Sequence, residues 1–513
     1  MSSEIDELAP DSTPLHAAGF RTLDAEVVLE RLPTEGRFPD WLSGSLVRNG
    51  PAKFEAGNDL FNHHFDGFAM LHRFEFRNGE ASYRNRFLRS RSFEYATQKG
   101  RMGYPVFATR LDPDRLERLS EELRKGGIPD VNASVALARI AGQHVALTDG
   151  STLPMAYDLE TLVTRGPLIL DDRLQHHDCA GNPTENWFHR GTTAHCHVAP
   201  ADGDIINYFV QPGEPGRDTT YNFFRIPHGT RRREPIAVLN TDQAAFVHAF
   251  CVTQRRIVFP ENPLRSDPSV LLEGGSFVES LHWREEAPMT FHVLDQASGN
   301  LLRRFEVRPS YIMHTINAYD DGDIVVVLDV AAYDNGDHVA ELYLNPALRP
   351  PGGRLKTTRA PELRSHARPV RYRLDLAIGR VTEEELAPIT VELPTIDYLR
   401  LNGRRYRHFY STGLSDDRGA IFYDQLASVD TVAGSHVTWR QSGHFPGEPV
   451  FVRRPGASTD NDGILLSVVL DGGAGRSYLL ALDPPTLEPR ARAFLLHHMP
   501  CGFHGTFFPA VAE

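Results

Sequence analysis

Apolar residues along this chain gather in short runs rich in β-branched and large aliphatic side chains. "GDIVVVLDVAAY", "FHVLDQASGNLLRRFEV", "EPVFVRR", "DGILLSVVL" and "RSYLLALD" each predict a strand or a hairpin. "RNGE", "DDGD", "DNDG" and "DGGAG" supply the turns. The pattern runs from about Leu46 to the end without a polar linker. Many short strands with frequent turns predict an all-β barrel, sandwich or propeller, and the length favours a propeller of several four-stranded blades. No blade-signature repeat is present, so the pattern leaves the blade count open.

One helix stands out. In "LDPDRLERLSEELRKGG", Asp112 can cap, Pro113 suits the first turn, Leu116, Leu119 and Leu123 form one apolar stripe, and Gly126 ends it. Two readings stay open: a helix packed on the sheets, or a helix at the mouth of an apolar tunnel that touches a membrane. "DPSVLLEGGSFVESLHW", with Val270, Leu271, Leu272, Phe277 and Val278, is a second candidate for membrane contact.

Length alone, 513 residues, suggests about three or four domains. Closed all-β architectures run long as one unit, and the uninterrupted strand pattern favours that. With 67 Asp+Glu against 54 Lys+Arg, a nucleic acid is not the expected ligand. Cys179, Cys196, Cys251 and Cys501 have neither zinc-knuckle spacing nor the density of a disulfide framework. The acidic start "MSSEIDELAPDSTPLHAAGF" has no apolar run, and no stretch approaches the roughly 20 apolar residues that cross a bilayer. The expectation is a soluble, reduced, cytoplasmic protein, not secreted, with peripheral membrane contact left open.

Four of the 23 histidines lie in apolar segments that read as strands: "TTAHCHV" (His195), "AAFVHAFCVT" (His248), "SYIMHTINAY" (His314) and "CGFHGTFF" (His504). An imidazole inside an apolar strand needs partners for its nitrogens or suffers a desolvation cost of a few kcal/mol. One such residue is an ordinary core histidine; four suggest a shared metal site. Their separations are 53, 66 and 190 residues, so innermost strands of different blades could carry them to one axis. Neutral imidazoles suit iron, copper, zinc or nickel. Such a centre calls for carboxylates that accept the outer imidazole N–H groups. Cys196, Cys251 and Cys501 sit at odd offsets from His195, His248 and His504, so in regular strands each thiol faces away, as buried filler. His197 shares the face of His195 but stands about 6 to 7 Å along the strand, too far to bind the same ion.

These segments resemble the carotenoid cleavage oxygenase (retinal pigment epithelial membrane protein) family. "LSGSLVRNGPAKFEAG", "NHHFDGFAMLHRFEF", "MHTINAYDDGD", "EPVFVRRPGASTDNDGILLSVVL" and "FHGTFF" resemble its motifs, in order, from about Pro33. "VELPTIDYLRLNGRRYRHFYSTG" and "DVAAYDN" look most like its animal-type β-carotene 15,15'-oxygenases. The resemblance implies an N-terminal extension, 1–32, and one domain, 33–513. The domain would be a seven-bladed β-propeller with a helical or loop cap over an axial metal site. It implies one ferrous ion per chain on His195, His248, His314 and His504, with Asp149, Glu392 and Glu448 accepting from the histidines, and O₂ as co-substrate. The family usually carries glutamate where Asp149 stands; one methylene shorter, it leaves a direct, a water-bridged or no contact as alternatives.

By position, the resemblance implies that Phe65, Phe107, Thr148, Phe246, Tyr333, Leu393 and Phe503 contact substrate. The implied reaction is dioxygenase cleavage of a carotenoid double bond, foremost β-carotene to retinal. The alternatives are eccentric or apocarotenoid cleavage and, further off, retinoid isomerohydrolysis or lignostilbene-type cleavage. The implied partners are an apolar polyene and a membrane surface, with no obligate protein partner. Three departures stand out. Cys196 replaces a proline after the first histidine. Asp114 stands where the isomerohydrolase has a cysteine linked to membrane anchoring. Thr148 stands where lignostilbene-cleaving relatives carry a phenol-binding lysine.

Overall fold

The computed structural model describes residues 14–124, 132–171, 191–211, 213, 218–344, 365–415 and 422–510. Its strands form seven antiparallel sheets of four to six strands, with two small two-stranded ribbons beside them. Apart from the strands that the first and seventh sheets take from opposite ends of the chain, the sheets are laid down one after another, and the second to sixth each start with a strand that stays at one edge. In chain order the second to sixth sheets start at Ala136–Ile140, His197–Val198, Cys251–Val252, Tyr311–Asp321 and Glu392–Thr395. In the seventh sheet, His444–Pro446 and Val450–Arg453 share the corresponding edge.

Those edge strands are the inner ring. Tyr311–Asp321 touches both Cys251–Val252 and Glu392–Thr395, and Gly505–Pro509 touches both Val450–Arg453 and Ala136–Ile140. Exposure rises outwards: Tyr311–Asp321 is almost wholly buried, whereas Val381–Glu385 at the opposite edge of the same sheet is mostly exposed. This is a seven-bladed propeller, as the resemblance implies.

The strand pattern follows from this packing. Each sheet buries both faces against its neighbours, so central strands read as continuous apolar runs rather than alternating ones. In Val325–Tyr333, Val326, Leu328 and Val330 pack towards Val258 and Phe291 of the fourth blade. The intervening Val327, Ala331 and Tyr333 turn the other way, towards Phe409 and Ala427 of the sixth. The ring closes by joining the ends of the chain. Gly505–Pro509 pairs with Gly44–Lys53 inside the first blade, and Thr34–Gly36 pairs with Pro489–Phe494 outside the seventh. Within 1–32, Val28–Leu29 pairs with the outer strand of the first blade and the short helix Leu15–Phe20 packs beside Phe445 and Leu470.

The expected helix is present as Pro113–Arg124, with Asp112 accepting the Arg115 backbone N–H at 3.0 Å. Gly126, expected to end it, and Cys179 lie outside the described residues. The short helix Pro268–Leu272 lies next to it, with Leu116 beside Gly274. Among the described residues no helix is long and apolar enough to cross a membrane.

Candidate metal centre and its cavity

Each blade supplies one group to the axis. His195, His248 and His314 come from the third, fourth and fifth blades, and His504 from the first. Asp149 sits in the turn after Gln143–Thr148 of the second blade, Glu392 begins the inner strand of the sixth, and Glu448 lies between the two inner segments of the seventh. Only His314 lies inside a strand, and there the pairing register shifts between Ile312 and Thr315, a bulge that re-aims the side chain. His195, His248 and His504 lie instead in extended segments leading into His197–Val198, Cys251–Val252 and Gly505–Pro509. The expectation of regular strands is corrected for these three. Their backbone groups find other partners: Thr193 Oγ1 donates to the His248 carbonyl, and the Asn49 N–H donates to the His504 carbonyl at 2.8 Å.

One nitrogen from each of the four imidazoles lies within 4.8 Å of the other three. The Nε2 atoms of His195 and His248 are 2.9 Å apart, and those of His314 and His504 are 3.2 Å apart. The opposite nitrogens are fixed by carboxylates. His248 Nδ1 donates to Asp149 Oδ2 at 2.5 Å, His504 Nδ1 donates to Glu448 Oε1 at 2.7 Å, and His314 Nδ1 donates to Glu392 Oε2. The Asp149 contact is therefore direct.

These bonds set the tautomer. A neutral imidazole that donates from Nδ1 has a bare lone pair on Nε2. Three such lone pairs, with His195 beside them, converge on one point inside the protein, where a single cation would satisfy them together. Protonation is disfavoured there. Burial pushes the His195 imidazolium well below the ordinary histidine range, and the neighbouring imidazoles add to the effect. Burial also lowers His314, outweighing the pull of Glu392. The donor set thus fits a metal ion.

Each carboxylate spends its second oxygen on another partner. Asp149 Oδ1 accepts the Ala194 N–H at 2.7 Å, and Glu392 Oε1 accepts the Tyr333 hydroxyl at 2.9 Å. Glu448 Oε2 accepts the Arg48 guanidinium at 2.6 Å and the Gly505 N–H at 2.7 Å. Burial alone would lift the Glu392 carboxyl, but the facing His314 and the Leu393 N–H hold it at about 2. Burial works against Glu448 too, and His504 with Arg48 keeps it below the usual carboxylate range. With a divalent cation, the +2 of the ion and the +1 of Arg48 cancel three carboxylates, so the buried centre is neutral overall.

Cys196 and Cys251 stay outside. Cys196 packs in the apolar layer between the second and third blades, and Cys251 in that between the fourth and fifth. Burial pushes both thiols up to about 12. His197 is turned away: its Nε2 donates to the Phe250 carbonyl at 2.7 Å and its Nδ1 accepts from Tyr398 at 3.1 Å. Cys501 differs from the expectation of filler, because it lines the cavity described next.

A cavity of about 650 Å³ reaches His248, His314 and His504. Of the seven expected contact residues, Phe65, Phe107, Thr148, Phe246, Leu393 and Phe503 line it. The phenylalanines form a continuous wall, with Phe65–Phe503, Phe65–Phe107 and Phe107–Phe246 centroids 5.1, 5.2 and 6.0 Å apart. Leu393 is held at φ 47°, a left-handed backbone that costs a leucine roughly 1 kcal/mol and aims it into the cavity. Tyr333 is the correction: it is buried behind the wall, stacked on His338 and bonded to Glu392. At one end Leu116, Leu119 and Leu271 line the cavity, so the helices Pro113–Arg124 and Pro268–Leu272 stand over it. The helix is packed on the sheets, with Leu119 buried beside Phe68 and Phe87 of the first blade, and the same stripe borders the cavity.

Sequence reasoning missed Arg48 and the outer role of Tyr333. Arg48 had a visible signal, a single charge flanked by apolar residues in "GSLVRNGP". Tyr333 had none, since only a tertiary contact separates a wall residue from one behind it.

A family model described as retinal pigment epithelial membrane protein matches residues 20–509. The mitochondrial carotenoid-cleaving dioxygenase of Mustela putorius furo is 31% identical over 97% of this chain and 97% of that protein. The carotenoid isomerooxygenase of Galleria mellonella is 31% identical over 92% of each. Among solved structures, a mutant apocarotenoid oxygenase from Synechocystis superposes with a TM-score of 0.79 at 22% identity, covering 96% of this chain and 98% of that one. A cobalt-substituted form gives 0.80 at 21%, covering 97% and 98%.

Proposed function

Because this chain belongs to the retinal pigment epithelial membrane protein family, we propose that it is a non-haem iron dioxygenase that cleaves a carbon–carbon double bond of a carotenoid. One observation carries this reading: four imidazole nitrogens converge, and three of the four histidines, His248, His314 and His504, line a cavity walled by phenylalanines. His195, His248, His314 and His504 would hold ferrous iron, one ion per chain. Ferrous iron held there would supply the electrons that make O₂ reactive towards a polyene.

The chain's own residues do the rest. Asp149, Glu392 and Glu448 hold three imidazoles in the tautomer with Nε2 free and fix their ring planes. Phe65, Phe107, Phe246 and Phe503 bind the polyene by burial, at about 25 cal/mol per Å² of apolar surface removed from water, and exclude solvent from the reacting bond. Thr148 and Leu393 shape the wall beside the histidines. No side chain need act as acid, base or nucleophile, because both oxygen atoms of O₂ end in two carbonyl products. The cleaved bond is set by how deep the cavity lets the substrate run past the histidines.

For the substrate we favour β-carotene cut centrally to retinal, on the resemblance of "VELPTIDYLRLNGRRYRHFYSTG" to the central-cleaving branch. Membrane contact at the half-buried Leu116 and Leu271 would let an insoluble polyene enter without crossing water. The test is to incubate the iron-loaded protein with β-carotene, with apocarotenals and with retinyl esters, in air and without oxygen, and identify the aldehydes and alcohols by chromatography. Oxygen-dependent retinal is the expected product. Longer and shorter aldehyde pairs would move the cut off centre, turnover of retinyl esters without O₂ would favour isomerohydrolysis, and an inert carotenoid would overturn the reading.

A further inference from the structure

Arg48 is a guanidinium only 2% exposed, in the strand Gly44–Lys53 next to the inner strand of the first blade. It pairs in register with Gly505, directly after His504. A side chain at Gly505 would meet Arg48 Cδ at 2.5 Å, so the missing Cβ is what lets the arginine pass beneath His504. The planar fork then spans two groups. Nη1 donates to Glu448 Oε2 at 2.6 Å and to the Glu448 carbonyl at 3.3 Å, and Nη2 donates to the Phe503 carbonyl at 3.0 Å. Glu448 Oε1 is left for His504 Nδ1 at 2.7 Å.

We propose that Arg48 is a positioning residue for the metal centre: it clamps Glu448 and the Phe503 backbone together, and so aims His504 at the other three imidazoles. The inference rests on the metal reading of the preceding section. An arginine suits this task because a rigid fork fixes a carboxylate's orientation, which a point charge does not. Its charge alone predicts the reverse of what a clamp predicts. A cation near a bound cation repels it, so removing a spectator charge would tighten metal retention. Removing a clamp loosens it, because Glu448 and His504 lose their fixed direction.

The experiment loads wild-type, Arg48→Met and Arg48→Lys proteins with Co²⁺, records the visible absorption of the cobalt, and follows its loss to a chelator. Circular dichroism reports folding. Arg48→Met is expected to lose cobalt about tenfold faster or more, with an altered band, as for other changes behind a metal ligand. Arg48→Lys keeps the charge but cannot span both groups, so its loss rate falls between the two. Should Arg48→Met be insoluble, a shifted Arg48→Lys spectrum with quickened loss supports the proposal, and an unshifted one with wild-type loss overturns it. Folded Arg48→Met that holds cobalt as well as or better than wild type overturns it too. Wild-type protein that takes up no cobalt overturns the metal reading itself, and this inference with it.

Discussion

Asp149 does with one methylene fewer what Glu392 and Glu448 do, because the backbone closes the gap. Its carbonyl accepts the Thr192 N–H at 2.9 Å and its Oδ1 accepts the Ala194 N–H at 2.7 Å, so the turn is drawn against the segment that carries His195. Oδ2 then reaches His248 at 2.5 Å without a bridging water. The site is fitted to aspartate, and Asp149→Glu would push the carboxylate past His248 or break the Ala194 bond. The expected outcome is a folded variant whose metal affinity falls about tenfold, measured as metal per chain after dialysis against a weak chelator. Unchanged or higher occupancy would show that the turn adapts. At this scale the histidines were legible because a buried imidazole without a local partner is conspicuous. Tyr333 was misread because its hydroxyl, which decides its role, bonds Glu392 across 59 residues of chain.

The single-turn helix His64–Asp66 holds two walls of the cavity together. Asp66 accepts the His63 N–H at 3.2 Å, the Ala108 N–H at 2.8 Å and the Thr109 hydroxyl at 2.6 Å, tying Phe65 to Phe107. Burial pushes its carboxyl up to about 6, although all three donors favour the charged form. The folded state therefore holds this proton more tightly than the unfolded chain, whose carboxyl titrates near 4. The stabilisation it brings is complete below pH 4 and is lost as pH rises to 6, by roughly 3 kcal/mol for a two-unit shift. Buried carboxylates shifted the other way mask this slope, so the measurement is a difference. The melting temperature of wild type minus that of Asp66→Asn should fall between pH 4 and 6 and then level off. A flat or rising difference would mean that Asp66 is ionised throughout. Strand runs such as "GDIVVVLDVAAY" were legible because both faces are buried. The histidine segments were not, because an extended approach and a strand carry the same apolar residues and differ only in whether a neighbour pairs with them.

Seven groups from seven blades meet on one axis, so the centre depends on the ring being closed. Closure was not legible in the sequence: no repeat marks the blades, and the strands that shut the ring lie at opposite ends of the chain. Gly505–Pro509 is the closing piece. It pairs with Gly44–Lys53, touches the inner strands of the second and seventh blades, and its first residue gives an N–H to Glu448 at 2.7 Å. A chain ending at His504 keeps every histidine and every carboxylate of the site, yet it removes the strand that brings the first blade to the axis. It also leaves the backbone of Gly44–Lys53 as an unpaired edge, which invites aggregation. Were the site a local assembly of side chains, this shortened chain would bind metal normally. If closure builds the site, it should lose most of its bound metal and melt at lower temperature, while a chain ending at Ala510 keeps both. Full metal occupancy in the chain ending at His504, measured alongside its thermal unfolding, would mean that the seven blades converge without their closing strand.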